Sequence, residues 1–273
     1  MTIDSHMHFW RYDAAEYAWI ESSMAALQRD FMPEDAWGDM QRAGMDACVA
    51  VQVRQTLAET HWLLKLADEY PFIAGVVGWV DFRSADLDAQ IESVKHPKLV
   101  GVRHIVQAEP DDFLQDDGFR RGIARLGRHG LAYDILIYAR QFPAAVDFVT
   151  AFPDGRFVLD HLGKPDIRAN GFDAWRRDLD RIAALPNVTA KLSGLVTEAD
   201  WNRWTIDDLH RYVNAALDVL GPDRLMIGSD WPVCTLAGQY GEVLDVVRTA
   251  ISGRPAADQD AILGATARRF WSL

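Results

Sequence analysis

The sequence predicts an α/β fold in which strand and helix alternate eight times and close into a single (β/α)8 TIM barrel. Three observations predict it. Apolar runs with strand character alternate with amphipathic helical runs throughout the 273 residues. The strand candidates number eight. No glycine-rich phosphate turn follows an early strand, as a doubly wound open sheet would usually show. Such alternation implies parallel strands joined by right-handed crossovers. Barrels of about 250 residues form one unit, so residues 1–273 are assigned to one domain.

The strand candidates lie, in order, near Thr2–Phe9, Ala47–Arg54, Ile73–Val80, Leu99–Val106, Ala132–Tyr138, Arg156–His161, Val188–Leu192 and Leu225–Asp230. Between them Leu87, Ile91 and Val94, then Phe119, Ile123 and Leu126, then Trp175, Leu179 and Ile182 recur at i, i+4, i+7. That spacing is one face of a 3.6-residue period. Further helical stretches are Ala58–Tyr70, Ile206–Leu220, Gly241–Ile251 and Ala256–Phe270. Pro71, Pro97, Pro153 and Pro186 each follow a helical run, where a residue unable to continue the helix is expected. Gly44, Gly130 and Gly221 read as C-terminal breakers.

Composition sets the limits on partners. With 49% hydrophobic and 25% charged residues the chain can bury a large core, which excludes disorder. The 28 basic against 40 acidic residues, a net charge of −12, argue against nucleic acid, whose phosphates need clustered Lys and Arg. No apolar run approaches the ~20 residues of a membrane span, and no signal peptide is visible. Cys48 and Cys234 give neither a disulfide framework nor a zinc-ribbon spacing. A cytoplasmic location is therefore expected. The 10 tryptophans and 8 histidines need a separate explanation.

In such barrels the active site lies at the C-terminal ends of the strands, and polar residues crowd that end of nearly every strand here. His6 and His8 stand two apart on the first strand, so both side chains can face the interior. There they can bind a transition metal or hold a substrate oxygen. The alternative is one core histidine and one surface histidine. Asp230, ending the eighth strand, is the natural carboxylate partner, as ligand or general base. Gln52, Arg54, Trp79, Arg103, His104, Lys191 and Trp231 are the candidate substrate-binding residues. Lys191 contacts a substrate hydroxyl or carboxylate, or is a salt-bridged strand-end residue. Of Trp10, Trp19, Trp79 and Trp231, two are expected to line the pocket, where an aromatic face can stack on a sugar ring.

Three motifs carry a family resemblance: Ile3-Asp4-Ser5-His6-Met7-His8, Leu159-Asp160-His161-Leu162-Gly163-Lys164-Pro165 and Gly228-Ser229-Asp230-Trp231-Pro232. Together, in order on strands one, six and eight, they resemble the amidohydrolase superfamily, and within it the branch of small-molecule lactonases. The resemblance implies that Asp230 is the catalytic base and that His6, His8 and His161 surround the reacting carbonyl. A full metal centre in this superfamily adds a Lys or Glu on strand four and a His on strand five. Here those strands offer Arg103 with His104, and Asp134 with Tyr138, so a dinuclear site is not expected. The branch includes members that work without metal. The expectation is therefore no required cofactor or one divalent ion, zinc, held by His6, His8, Asp230 and His161.

The activity so implied is hydrolysis of a sugar lactone, of the L-fucono-1,5- or 1,4-lactone kind, to the aldonic acid. Asp230 would activate water, and His and Arg groups or one metal ion would polarise the carbonyl. The alternatives are a metal-dependent decarboxylase or pyrone-dicarboxylate lactonase of the same superfamily and, more distantly, a non-catalytic binding protein. The expected partner is a small-molecule lactone, with no nucleic acid and no membrane; a homo-oligomer is left open.

Overall fold

The computed structural model describes residues 1–273. Its strands are β1 (Ile3–Met7), β2 (Ala47–Val51), β3 (Ile73–Gly78), β4 (Leu99–His104), β5 (Ala132–Ile135), β6 (Phe157–Leu159), β7 (Val188–Leu192) and β8 (Leu225–Ile227). They form one sheet in sequence order, each neighbour parallel. The last strand returns to the first through a parallel bridge between Met7 and Trp231. His8 N donates to Trp231 O at 2.7 Å, and Asp230 N donates to His6 O at 2.9 Å. The backbone bonds that close the barrel therefore join the very residues expected to carry the chemistry.

Around the sheet run α1 (Pro33–Arg42), α2 (Leu57–Glu69), α3 (Leu87–Ser93), α4 (Asp117–Leu126), α5 (Phe142–Ala151), α6 (Phe172–Ala183), α7 (Leu195–Glu198), α8 (Ile206–Leu220), α9 (Tyr240–Ile251), α10 (Ala256–Asp260) and α11 (Thr266–Trp271). The three apolar trios are all buried, as one helical face against the sheet requires. Gly44, Gly130 and Gly221 take φ values of 66°, 69° and 71°, the left-handed turn that ends a helix and favours glycine. No helix is long and apolar enough to cross a membrane.

Three elements in particular differ from expectation. The α5 segment, FPAAVDFVTA, carries apolar residues nearly all round, so it lacks the polar contrast that marks a helix by period. Strands β6 and β8 stop at Leu159 and Ile227, short of His161 and Asp230. Those two residues have φ values of 53° and 61°, a left-handed backbone that cannot continue a strand.

The interior is stacked in layers. Ile3, Val49, Val77, Val100, Val158 and Met226 pack with Ala267 and Trp271 of α11 at one end. Simple alternation from Ile3 would turn Met7 inward and both strand-one histidines outward. A register shift between Asp4 and Met7 prevents this, and Met7 packs with the helix-facing core instead. The bulge re-aims His6 and His8 at the barrel axis. A second shift, where β3 passes from Val76 to Val77 against Leu99 and Gly101 of β4, likewise turns Arg103 inward.

Candidate active site

Four side chains converge at the mouth. His8 Nε2 lies 3.2 Å, His6 Nε2 3.8 Å and His161 Nε2 3.9 Å from Asp230 Oδ1, and His6 Nε2 is 3.1 Å from His8 Nε2. All four residues are buried. His8 Nδ1 sits 2.8 Å from Val51 O. A carbonyl only accepts, so Nδ1 carries the proton and Nε2 of the neutral ring presents a lone pair to Asp230. Two lone pairs at that distance need a proton or a cation between them. His161 Nδ1 is held by Ser193 Oγ at 2.9 Å. Its ring lies so close to β7 that a Cβ on Gly194 would stand 2.5 Å from Nδ1, and only glycine fits there.

Behind His6 lies a buried layer of charge. Lys191 Nζ reaches Asp134 Oδ2 at 2.5 Å and Asp160 Oδ1 at 2.8 Å, and approaches His6 Nδ1 to 3.2 Å. Arg103 Nη1 meets Asp160 Oδ2 at 3.0 Å and His6 Nε2 at 3.3 Å. Its Nη2 is bonded to the Gln52 carbonyl, while Gln52 Nε2 donates back to Arg103 O at 3.0 Å. Below the layer, Lys191 Nζ sits 5.3 Å from the centroid of the Trp271 ring. Two cations thus face two carboxylates out of water, the pairing that buried charges require.

Burial pushes the His6 imidazolium well below the ordinary range, and the Lys191 charge adds to this. Burial likewise lowers His161 to about 4, against the pull of Asp230 and Asp160. For Asp230 burial acts upward, but His161, His8 and His6 outweigh it and hold the carboxyl well below its usual range. At neutral pH Asp230 is therefore a carboxylate facing uncharged His6 and His161, the state a general base needs. Burial raises Asp134, and the Lys191 charge only partly opposes this. Asp160 is held low, because Lys191, His6 and Arg103 overcome its burial.

The remaining candidates are placed as follows. His104 is the neighbour of inward-facing Arg103 and so points to the helix layer. Its ring stacks on Phe113 at 4.8 Å and its Nε2 meets Glu109 at 2.9 Å. It stands outside the cluster, a correction to the expectation that both residues face the substrate: strand alternation admits only one. Lys191, Gln52 and Arg103 are buried behind His6 and bonded to protein partners, so they position the site rather than line its opening. Arg54 pairs with Glu16. Trp10 is buried with its indole N–H on Arg29 O at 2.9 Å. Trp231 packs on Phe9 and Phe31 and borders a cavity of 640 Å³ between α1 and α9. Trp19 and Trp79 keep exposed surface.

Sequence reasoning missed Asp134, Asp160, Ser193, Lys164 and Glu59. Two strand-borne cations in a closed barrel could have signalled the two aspartates, because buried cations demand buried anions. Glu59, two residues into α2, accepts from Val53 N at 3.1 Å and Arg54 N at 2.6 Å, and its Oε1 has no partner. Burial raises its pKa from 4.5 to about 7, despite those backbone donors. The proton it keeps in the fold stabilises the protein fully below pH 4.5, and that contribution is lost as pH rises towards 7. At roughly 1.4 kcal/mol per pH unit the loss is about 3 kcal/mol. Glu59→Gln keeps the acceptor without the titration. It is expected to match the wild type near pH 5 and to exceed it by about 1–3 kcal/mol at pH 8. Urea denaturation at the two pH values reads this directly, and an equal difference at both would refute it.

A barrel with three histidines and an aspartate converging at the strand ends defines a hydrolase-type β/α-barrel site. The chain belongs to the amidohydrolase family, which it matches over residues 3–273. It is 43% identical to an L-fucono-1,5-lactonase of Burkholderia multivorans, covering 100% of this chain and 96% of that protein. An L-fucono-1,5-lactonase of Burkholderia ambifaria is 40% identical, over 88% of this chain and 83% of the relative. A crystal structure of an amidohydrolase from Burkholderia multivorans with bound zinc superposes with a TM-score of 0.98 at 42% identity, covering 100% and 99% of the two chains.

The donor set fits one divalent ion. Donor atoms of His6, His161 and Asp230 all lie within 4.8 Å of one another. The nitrogens of His6 and His161 stand 3.8 and 3.9 Å from Asp230 Oδ1, wider than the ~3.3 Å edge of a tetrahedron with zinc bonds of about 2.0 Å. His8 Nε2 lies beside that set, 3.2 Å from Asp230 Oδ1.

Proposed function

We propose that this protein hydrolyses the 1,5-lactone of a six-carbon sugar acid, of the L-fucono type, to the open aldonic acid. The observation that carries this reading is the carboxylate of Asp230 surrounded by three imidazoles, in a chain so similar along its length to two L-fucono-1,5-lactonases.

Asp230, with His8 at 3.2 Å to share the proton, takes a proton from water as the oxygen attacks the lactone carbonyl. The carbonyl oxygen becomes an oxyanion among the rings of His6 and His161. Lys191 and Arg103, locked by Asp134 and Asp160 behind His6, hold that ring in place, so it costs no reorganisation during reaction. Collapse breaks the ring C–O bond, and the proton held at Asp230 passes to the departing alkoxide. Lactone and water give one hydroxy acid. A divalent ion, held by His6, His8, His161 and Asp230, would supply Lewis acidity at the carbonyl. The buried thiols of Cys48 and Cys234 suit a reducing compartment, and we place the enzyme in the cytoplasm.

Proton release from a panel of aldonolactones, with and without a chelator, tests the reading. L-Fucono-1,5-lactone should be hydrolysed far above its spontaneous rate. Activity that survives chelation assigns carbonyl polarisation to the protein's own donors; activity lost and then regained with zinc assigns it to the ion. No acceleration on any aldonolactone, with or without zinc, would overturn the proposal.

A further inference from the structure

The turn after β6 is unusual. His161, Leu162, Gly163 and Lys164 take successive φ values of 53°, 52°, 69° and 49°, closed by Lys164 N donating to His161 O at 2.9 Å. Three of the four are L-residues in a region that costs each roughly 1–2 kcal/mol, and strain of this kind collects at functional sites. A Cβ on Gly163 would stand 2.4 Å from the Phe142 ring, so packing holds the turn in place. Lys164, three residues after His161, lies within electrostatic reach of His161 and Asp230.

There Lys164 Nζ lies 3.1 Å from Glu198 Oε1, their side chains 15% and 19% exposed. The ammonium also sits 5.5 Å from the centroid of the Tyr138 ring. Glu198 ends α7, and its carbonyl accepts from Arg168 N at 3.0 Å, which ties the loops after β6 and β7 together. Burial acts against the Lys164 charge, but Glu198, Asp230 and Tyr138 more than restore it. The lysine is thus charged and within the field of the proposed base. Arg103 and Lys191, by contrast, are locked against fully buried carboxylates.

We propose that Lys164 and Glu198 form the subsite that recognises adjacent ring hydroxyls of the substrate, Lys164 donating to one and Glu198 accepting from the next. This rests on the lactonase reading above. An ammonium has three donors and Glu198 takes one; the carboxylate keeps acceptor capacity of its own. A lone lysine would suit an anion, whereas a neutral pair presents donor and acceptor side by side and suits an uncharged polyol. A site built to hydrogen-bond a hydroxyl discriminates strongly against an analogue lacking it, because its polar groups are then left unpaired.

The test compares L-fucono-1,5-lactone with δ-valerolactone, which has the same ring and no hydroxyls. Lys164→Met and Glu198→Gln should each lower the ratio of kcat/KM between the two lactones by about 10- to 100-fold, mainly through KM for the sugar lactone. Lys164→Arg should recover part of the ratio. Loss by the same factor on both lactones in the isosteric Glu198→Gln variant, with an unchanged melting curve, would place the pair at the reacting bond and overturn the inference alone. An unchanged ratio in both variants would also overturn it. A wild-type enzyme that hydrolyses δ-valerolactone and no sugar lactone would overturn this inference and the proposed function together.

Discussion

Asp230→Asn is expected to lower kcat on the sugar lactone about 10³-fold while leaving KM within about threefold, the scale of a lost general base. Asparagine is the informative substitution. Asp230 has φ 61°, and Asn tolerates that left-handed backbone where alanine would add strain of its own. The amide can turn an N–H towards the His8 Nε2 lone pair, so the geometry survives while the basicity disappears. Against the upward push of burial, the surrounding imidazoles hold Asp230 ionised across the neutral range, so wild-type activity should not fall through loss of its charge until well into acid. A variant retaining more than a tenth of the wild-type kcat would show that another group takes the proton.

Lys191→Met should be the most damaging single change to stability, costing about 3–5 kcal/mol in urea denaturation. Lys191 is fully buried and lies between the carboxylates of Asp134 and Asp160. Removing its charge leaves those carboxylates with Arg103 alone. The double variant Lys191→Met/Asp134→Asn removes one charge of each sign and should recover part of the loss. That recovery distinguishes a charge effect from a packing effect, because a methionine that merely packs badly would gain nothing from the second change. A single variant within about 1 kcal/mol of wild type would show that the layer needs no charge at that point.

The barrel was legible because eight apolar runs separated by helical periods leave few arrangements open. Each strand was found, and His6, His8, His161 and Asp230 do meet. The strand ends were not legible. Leu159 to His161 and Ile227 to Asp230 read as continuous apolar-to-polar runs, and nothing local announces that the backbone turns left-handed at His161 and Asp230. The partners of Lys191 were hidden for another reason. Its choice between substrate and salt bridge depends on Asp134 and Asp160, which reach it only across neighbouring strands. His104 shows the cost of judging strand ends by proximity, since one step along a strand reverses direction. The placement of Lys164 comes from four backbone angles, and no side-chain pattern encodes those.

The register shifts in β1 and beside β4 have a consequence for how such a barrel can diversify. Without them, a substitution that changed the packing phase near Ile3 or Val100 would carry through to His6 or Arg103. With them, the apolar end and the reactive end keep separate phases on the same strand. The plug around Trp271 meets the reactive end through Lys191, which lies over that ring, rather than through the phase of β1 or β4. Conversely, loops beyond the mouth can be exchanged for a new substrate without reopening the seal. The bulge acts as a joint between two independently heritable halves of one strand.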